Sequence, residues 1–224
     1  MLNKKKALLL IGSPKIKNST SESLGDYLLE GLHNKGFTSE KEHIVSVLKD
    51  DVEGLFSKVN DADIVIVSAP LYVDNLPSPL IKAFELIGEN RKGMVNSKKQ
   101  SFISIVNSGF PESFQSNTAL KICEVFANKA GFQWLGGLTI GGGAAINGMS
   151  IKNLGGMARN IVKALDITAD TISNNEDIPL EAENLLSKGI IPSWLYILIA
   201  NKGWKIQAKK FNAHKNLYIK PYVK

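Results

Sequence analysis

Apolar residues fall along this chain in two rhythms. Unbroken runs at Lys6–Ile11, Asp63–Pro70, Phe102–Gly109 and Trp134–Gly143 alternate with stretches where they return every three or four positions. A run without polar alternation is a strand covered on both faces, whereas three- and four-residue spacing is one face of a helix. Leu24, Tyr27, Leu28 and Leu32 predict a first helix, closed by Gly36. Lys41–Val47 is a weaker strand, and Val52, Leu55, Phe56 and Val59 mark a second helix. Leu80, Ala83, Phe84 and Ile87 mark a third, with Ser78 and Pro79 suited to its start. Leu120, Cys123, Ala127 and Ala130 line a fourth, closed by Gly131, and Leu154, Met157, Ile161, Leu165 and Ile172 form one long final stripe. Five such β-α repeats predict an α/β fold, a three-layer, doubly wound, five-stranded parallel sheet. The repeats end near Asn174. The expected organisation is one domain over residues 1–174 and a helical C-terminal extension over residues 175–224, packed on that domain or on a dimer partner.

In a doubly wound sheet, ligands bind beyond the carboxyl ends of the strands. Four loops leave that edge: GSPKIKNSTS, SAPLYVDNLPSP, NSGFPES and IGGGAAINGMS. In the first, Gly12 permits close backbone approach and Pro14 stops the strand. Asn18, Ser19, Thr20 and Ser21 sit where a helix begins, and the open N–H groups and dipole there favour an anion. Lys15 or Lys17 adds charge. Ser19 and Glu22 also match a capping box, which accounts for the serines without a ligand but not for Gly-Ser-Pro-Lys. The loop has neither G-x-x-x-x-G-K-[ST] nor G-x-G-x-x-G, so it is not a Walker A site or a dinucleotide fingerprint. The second loop sets Tyr72 between Pro70 and Pro77. The third offers Asn107, Ser108, Gly109 and Phe110, and the fourth a glycine run at Gly141–Gly143. Each of these three reads equally as a plain turn or packed edge. Together the four suit a mononucleotide, with its phosphate on the first loop and a flat ring beside it.

Composition narrows the chemistry. The single cysteine, Cys123, excludes an internal disulfide framework, a cysteine-rich zinc site and a cysteine-held iron–sulfur cluster. It suits a reducing compartment, so a cytoplasmic protein is expected. The net charge of +6 is almost all lysine, with arginine only at Arg91 and Arg159. Nucleic-acid readers favour arginine, so no nucleic-acid partner is expected. No bound metal is expected. The start, MLNKKKALLLIGSP, has too short an apolar stretch for a signal peptide, and no run reaches the roughly 20 apolar residues of a membrane span.

From about Lys6 to Ile172 the chain resembles the NADPH-dependent FMN reductase family of the flavodoxin-like superfamily. GSPKIKNSTSESL resembles that family's Gly-Ser-Pro-Arg/Lys…Asn-Ser/Thr phosphate loop. SAPLYVDNLPSPLIKAFE resembles its Pro-x-Tyr…Pro…Lys-x-x-x-Asp/Glu segment. The resemblance implies that Ser13, Lys15, Asn18, Ser19, Thr20 and Ser21 hold the phosphate of FMN. It implies that Pro70, Leu71, Tyr72 and Val73 line the ribityl chain and ring, and that Asn107, Ser108 and Gly109 face the ring's other polar edge. A homodimer is implied too. The compact cysteine motif of the related iron–sulfur flavoproteins is absent.

Flavin chemistry needs no protein acid or nucleophile for hydride transfer. The three histidines, His33, His43 and His214, lie away from the predicted strand ends and read as surface residues. No catalytic side chain is therefore expected. The implied activity is electron transfer from NADPH or NADH through FMN to a small acceptor, which is a quinone, a nitro or azo compound, free flavin or a metal ion. The alternatives are a flavodoxin-type electron carrier, against which the basic charge and the Gly-Ser-Pro-Lys loop speak, and a scaffold that has lost its flavin and acts through its tail. In that tail, Ile190–Lys210 passes from apolar residues to lysines, with Trp194, Tyr196 and Trp204 spread through it. It reads either as an interfacial helix on anionic lipid or as a helix packed on protein. The apolar stretch from Trp194 to Ile199 surrounds most of a turn, which suits burial in protein better.

Overall fold

The structure is a computed structural model that describes residues 4–93 and 98–220. Five strands, β1 (Lys6–Ile11), β2 (Thr38–His43), β3 (Ile64–Pro70), β4 (Ser101–Asn107) and β5 (Gln133–Ile140), form one all-parallel sheet in the order β2-β1-β3-β4-β5. The chain order reverses between β1 and β3. A crevice therefore opens at their carboxyl ends, where the loops after Ile11 and Pro70 leave in opposite directions.

The pleat sorts the strand residues onto two cores. Leu9 and Ile11, Ile64 and Ile66, and Ile103 and Ile105 point to the face covered by α1 (Thr20–His33) and α6 (Arg159–Ser173). Leu8 and Leu10, Val65 and Val67, and Phe102 and Val106 point to the other face. That face is covered by α2 (Ile44–Asp50), α3 (Val52–Asp61), α4 (Ser78–Arg91) and α5 (Asn117–Lys129). With both faces dry the central strands cannot alternate, which is why they read as unbroken apolar runs. Gly36 (φ +87°) closes α1 and Gly131 (φ +76°) closes α5, both left-handed turns that glycine adopts without a Cβ clash. At the amino end of the sheet, Arg91 is buried beneath the Phe132 ring. It donates to Ala130 O (2.7 Å), Gln100 Oε1 (2.7 Å) and Asn60 Oδ1 (3.0 Å).

Three local expectations are corrected. The second strand spans Thr38–His43, not Lys41–Val47, and Ile44 opens α2. β2 is an edge strand with a largely exposed TSEKEH sequence, so no apolar pattern marks it, while Ile44 and Val47 are buried at helical spacing. The last strand stops at Ile140, before the glycines. The final stripe is not one helix: Ile151–Ala158 is a 3-10 segment broken at Gly155 (φ 54°, ψ −134°), and α6 starts at Arg159.

The chain divides into two compact units, Met1–Ile190 and Ile191–Lys224. Residues 175–190 thus continue the first unit. Ile178 N donates to Leu135 O at 2.7 Å, and Ile178, Ala182 and Leu186, the last two on α7 (Leu180–Ser187), are buried in the core. The second unit holds α8 (Ser193–Lys210) and a 3-10 turn at His214–Asn216. None of the residues of α8 is buried.

Candidate functional site

The loop between β1 and α1 is anchored at both ends. Gly12 N donates to Ser68 O (2.9 Å) on β3, and a Cβ at Gly12 would lie 2.6 Å from the Leu80 side chain. Only glycine lets the strand pass so close to α4. Ser13 is buried, and its Oγ accepts from Lys15 N at 3.2 Å. Ser19 caps α1, with its Oγ accepting from Glu22 N at 3.0 Å. The reciprocal half of a capping box does not form, because the Glu22 carboxylate turns to Lys41 (3.0 Å) and His43 (3.3 Å). That leaves the Ser19 N–H open, and the main-chain N–H groups of Asn18, Thr20 and Ser21 likewise find no acceptor among the described residues. Lys15 and Lys17 are exposed beside them and form no ion pair among the described residues.

Hydroxyls in the same stretch face inward. Ser21 is fully buried; its Oγ accepts from Asn107 Nδ2 (2.8 Å), and its carbonyl accepts from Ser68 Oγ (2.7 Å). Asn107 Nδ2 also donates to Ala69 O at 3.1 Å, and Asn107 O accepts from Leu71 N at 2.8 Å. One asparagine at the end of β4 thereby ties the first loop to the second. Thr20 Oγ1 donates to Gly143 O (3.0 Å), Gly143 N donates to Ser108 O (2.8 Å), and Gly142 N donates to Phe110 O (2.6 Å). The fourth loop is in this way laced to the first and third. Of the residues the sequence singles out, Thr20 and Ser21 spend their hydroxyl groups on these ties and keep main-chain N–H groups open, while Asn18 is exposed with φ +53°.

The second loop turns sharply. Tyr72 N donates to Asn75 O (2.8 Å) and Asn75 N to Tyr72 O (3.0 Å), around Val73 (φ 49°) and Asp74 (φ 59°). Two consecutive positive φ values with mutual hydrogen bonds are the type I′ arrangement, normally filled by Asn-Gly. A β-branched valine there is strained, and Val73 is 97% exposed. Tyr72, Phe110 and Phe114 are half-exposed or more on the same and neighbouring loops. Pro70 and Leu71 are more covered, and Ser108 and Asn107 are buried, with Gly109 exposed next to them.

Sequence reading missed two participants. Ser68 looks like one more small residue in a buried strand, yet it holds Ser21. Gly148 (φ +72°) packs so tightly under the first loop that a Cβ would sit 1.9 Å from Asn18 O; the Asn147-Gly148 dipeptide was the available sign of a turn. His43 is also placed differently from expectation. It ends β2 at this edge, half-buried against Glu22, with Nδ1 unpartnered. Cys123 lies in the core, where burial pushes its thiol up to about 12, so it offers no thiolate at neutral pH.

A family model for NADPH-dependent FMN reductase matches residues 5–127, the stretch that contains the first three loops and the Asn107 ties between them. The chain belongs to that family. This reductase is an NAD(P)H-dependent flavin oxidoreductase whose cofactor is FMN, which sets aside the electron-carrier and lost-flavin readings. No curated protein matches the sequence. Solved structures that share the fold include an FMN-dependent NADH-azoreductase from Bacillus anthracis in complex with FMN, at 14% identity and TM-score 0.52, covering 76% of this chain and 100% of that one. An NAD(P)H:quinone oxidoreductase from Methanothermobacter marburgensis is 12% identical with TM-score 0.53, over 76% and 96%. An NADPH-quinone reductase from P. pentosaceus is 15% identical with TM-score 0.52, over 74% and 97%. At such identities the likeness is one of fold.

Proposed function

We propose that the reductase holds FMN along the β1–β3–β4 edge and delivers its electrons to a flat, two-electron organic acceptor of the quinone or azo class. The observation that carries this reading is the row of four unpartnered N–H groups from Asn18 to Ser21 at the start of α1. A phosphate there is matched by the helix dipole and by Lys15 or Lys17. The donor set suits a dianion with several acceptor oxygens and no hydrogen to give. Ser13 and Ser19 line the same loop, while Thr20 and Ser21 act through main-chain N–H groups.

Pro70, Leu71, Tyr72 and Val73 form the wall along the ribityl chain and ring. Asn107 positions that wall through Leu71, and Ser108 and Gly109 present the polar edge opposite. When bound, FMN supplies the hydride and electron chemistry. The protein's own part is to fix the phosphate, clamp the loops through Asn107 and Thr20, and present Tyr72, Val73 and Phe110 to a planar acceptor. The neighbouring azoreductase and quinone reductases, named for such acceptors, support the class. Family resemblance extends the reading to a homodimer, which sedimentation of the FMN-loaded protein would decide.

The test is single-turnover reoxidation of the NADPH-reduced protein by a benzoquinone, an azo dye, ferric citrate and free FMN. The proposal expects the quinone or the dye to reoxidise the protein at least tenfold faster than ferric iron or free FMN. Equal rates, or fastest reoxidation by iron or free flavin, would overturn the acceptor class while leaving the FMN site standing.

A further inference from the structure

Charge is distributed very unevenly along this chain. The last carboxylate side chain is Glu183, and residues 191–224 hold seven lysines and no aspartate or glutamate. The first 190 residues therefore carry a net −1, and all of the protein's positive excess sits in the second unit. Its lysines have no carboxylate side chain within the unit to pair with.

The same unit also exposes large apolar side chains. Trp194, Ile197, Leu198, Ile199, Trp204 and Ile206 on α8 are each at least half exposed, the two tryptophans at 66% and 71%. From Trp194 to Ala200 no residue is charged, which is about 10 Å of helix. Beyond it the lysines gather on one side of the helix. Lys202, Lys205, Lys209 and Lys210 share one side with the exposed Ile206, and Ile197, Ala200, Trp204 and Ala208 lie on the other, so the helix is basic on one side but apolar on both.

We propose that this unit docks on a membrane surface containing anionic lipid. Such a surface offers both things the unit lacks, a dense negative charge and an apolar phase, and tryptophan favours the boundary between them. α8 dips its N-terminal half into the boundary and keeps its lysine half among the headgroups. No helix of the described residues is long and apolar enough to cross a membrane, so the contact is peripheral.

A second copy of the chain fits less well. Isologous packing of two such units would cover the apolar stretch but bring no carboxylate side chain to the lysines of either. Nucleic acid would supply charge but no apolar phase for Trp194–Ala200, and the unit has no arginine for base or phosphate forks.

The experiment uses the full-length protein and sucrose-loaded vesicles of phosphatidylcholine alone or with one third phosphatidylglycerol. The proposal expects pelleting with the anionic vesicles at low salt, little with the zwitterionic ones, and release as salt shortens the screening length. Tryptophan emission should shift to the blue on binding. Replacing Lys202, Lys205 and Lys209 together by glutamine should lower partitioning on the order of a hundredfold. Trp204→Ser should weaken binding while preserving its salt dependence. All of these residues are exposed, so an unchanged circular dichroism spectrum certifies the fold of each variant. Absence of pelleting with anionic vesicles at low salt would overturn the proposal. So would equal pelleting on both vesicle types, insensitive to the triple substitution. Self-association that Trp194→Ser abolishes, without vesicle binding, would assign the surface to a second copy. Tighter binding to a DNA duplex than to vesicles would assign it to nucleic acid. Neither result depends on the flavin site.

Discussion

Val73 is the residue whose local chemistry disagrees most with its position. It occupies a left-handed turn that favours Asn or Gly, and it points almost entirely into solvent. A folded chain tolerates that cost where the side chain is used, and here the turn lies beside Tyr72 at the carboxyl end of β3. Val73→Asn is expected to raise unfolding stability by about 1 kcal/mol, read by urea denaturation, while slowing reoxidation by the acceptor. A loss of stability, or greater stability with undiminished turnover, would show that the valine is neither strained nor used. Residue identity was legible in the sequence where type and position agreed, as with Gly12, Pro14 and the Asn18–Ser21 run. It was illegible where a side chain's partner lay far along the chain. Nothing near Ser21 announces that its hydroxyl is taken by Asn107, 86 positions away.

Between elements, the site is held by close approaches that only glycine permits. The sharpest is Gly148 beneath Asn18, with a positive φ and no room for a Cβ. Gly148→Ala must displace the first loop, and strain of roughly 1–3 kcal/mol should weaken FMN binding about tenfold or more, measured by flavin fluorescence titration. Gly88 on α4 serves as the contrast, since a Cβ there meets nothing within 4 Å. Gly88→Ala should leave FMN affinity unchanged and stabilise the fold by about 0.5–1 kcal/mol. If both substitutions have the same effect on FMN, the fourth loop does not support the site. Central strands and amphipathic helices were legible because burial imposes their periods. β2 was not, because an exposed edge strand carries no apolar signature, and the break at Gly155 was not, because Leu154 and Ile161 keep one stripe across two helices. The ties among the loops were invisible for a further reason: three of them run through main-chain carbonyls of Gly143, Ser108 and Phe110, which no residue type reveals.

For the molecule as a whole, the sheet order and the family match make one statement: a flavodoxin-like sheet in an FMN reductase, with the proposed mononucleotide edge at its switch point. The second unit adds a basic, tryptophan-bearing surface to a body of nearly neutral charge, and the two features are tested apart. The central claim is that this chain takes electrons from a nicotinamide onto bound FMN. It is tested most directly by the visible spectrum of the FMN-loaded protein before and after NADPH, with oxygen excluded. The account predicts that the yellow flavin band bleaches on adding NADPH or NADH and returns when a quinone or azo dye is admitted. A protein that binds no FMN, or one that stays yellow with both nucleotides, would contradict it.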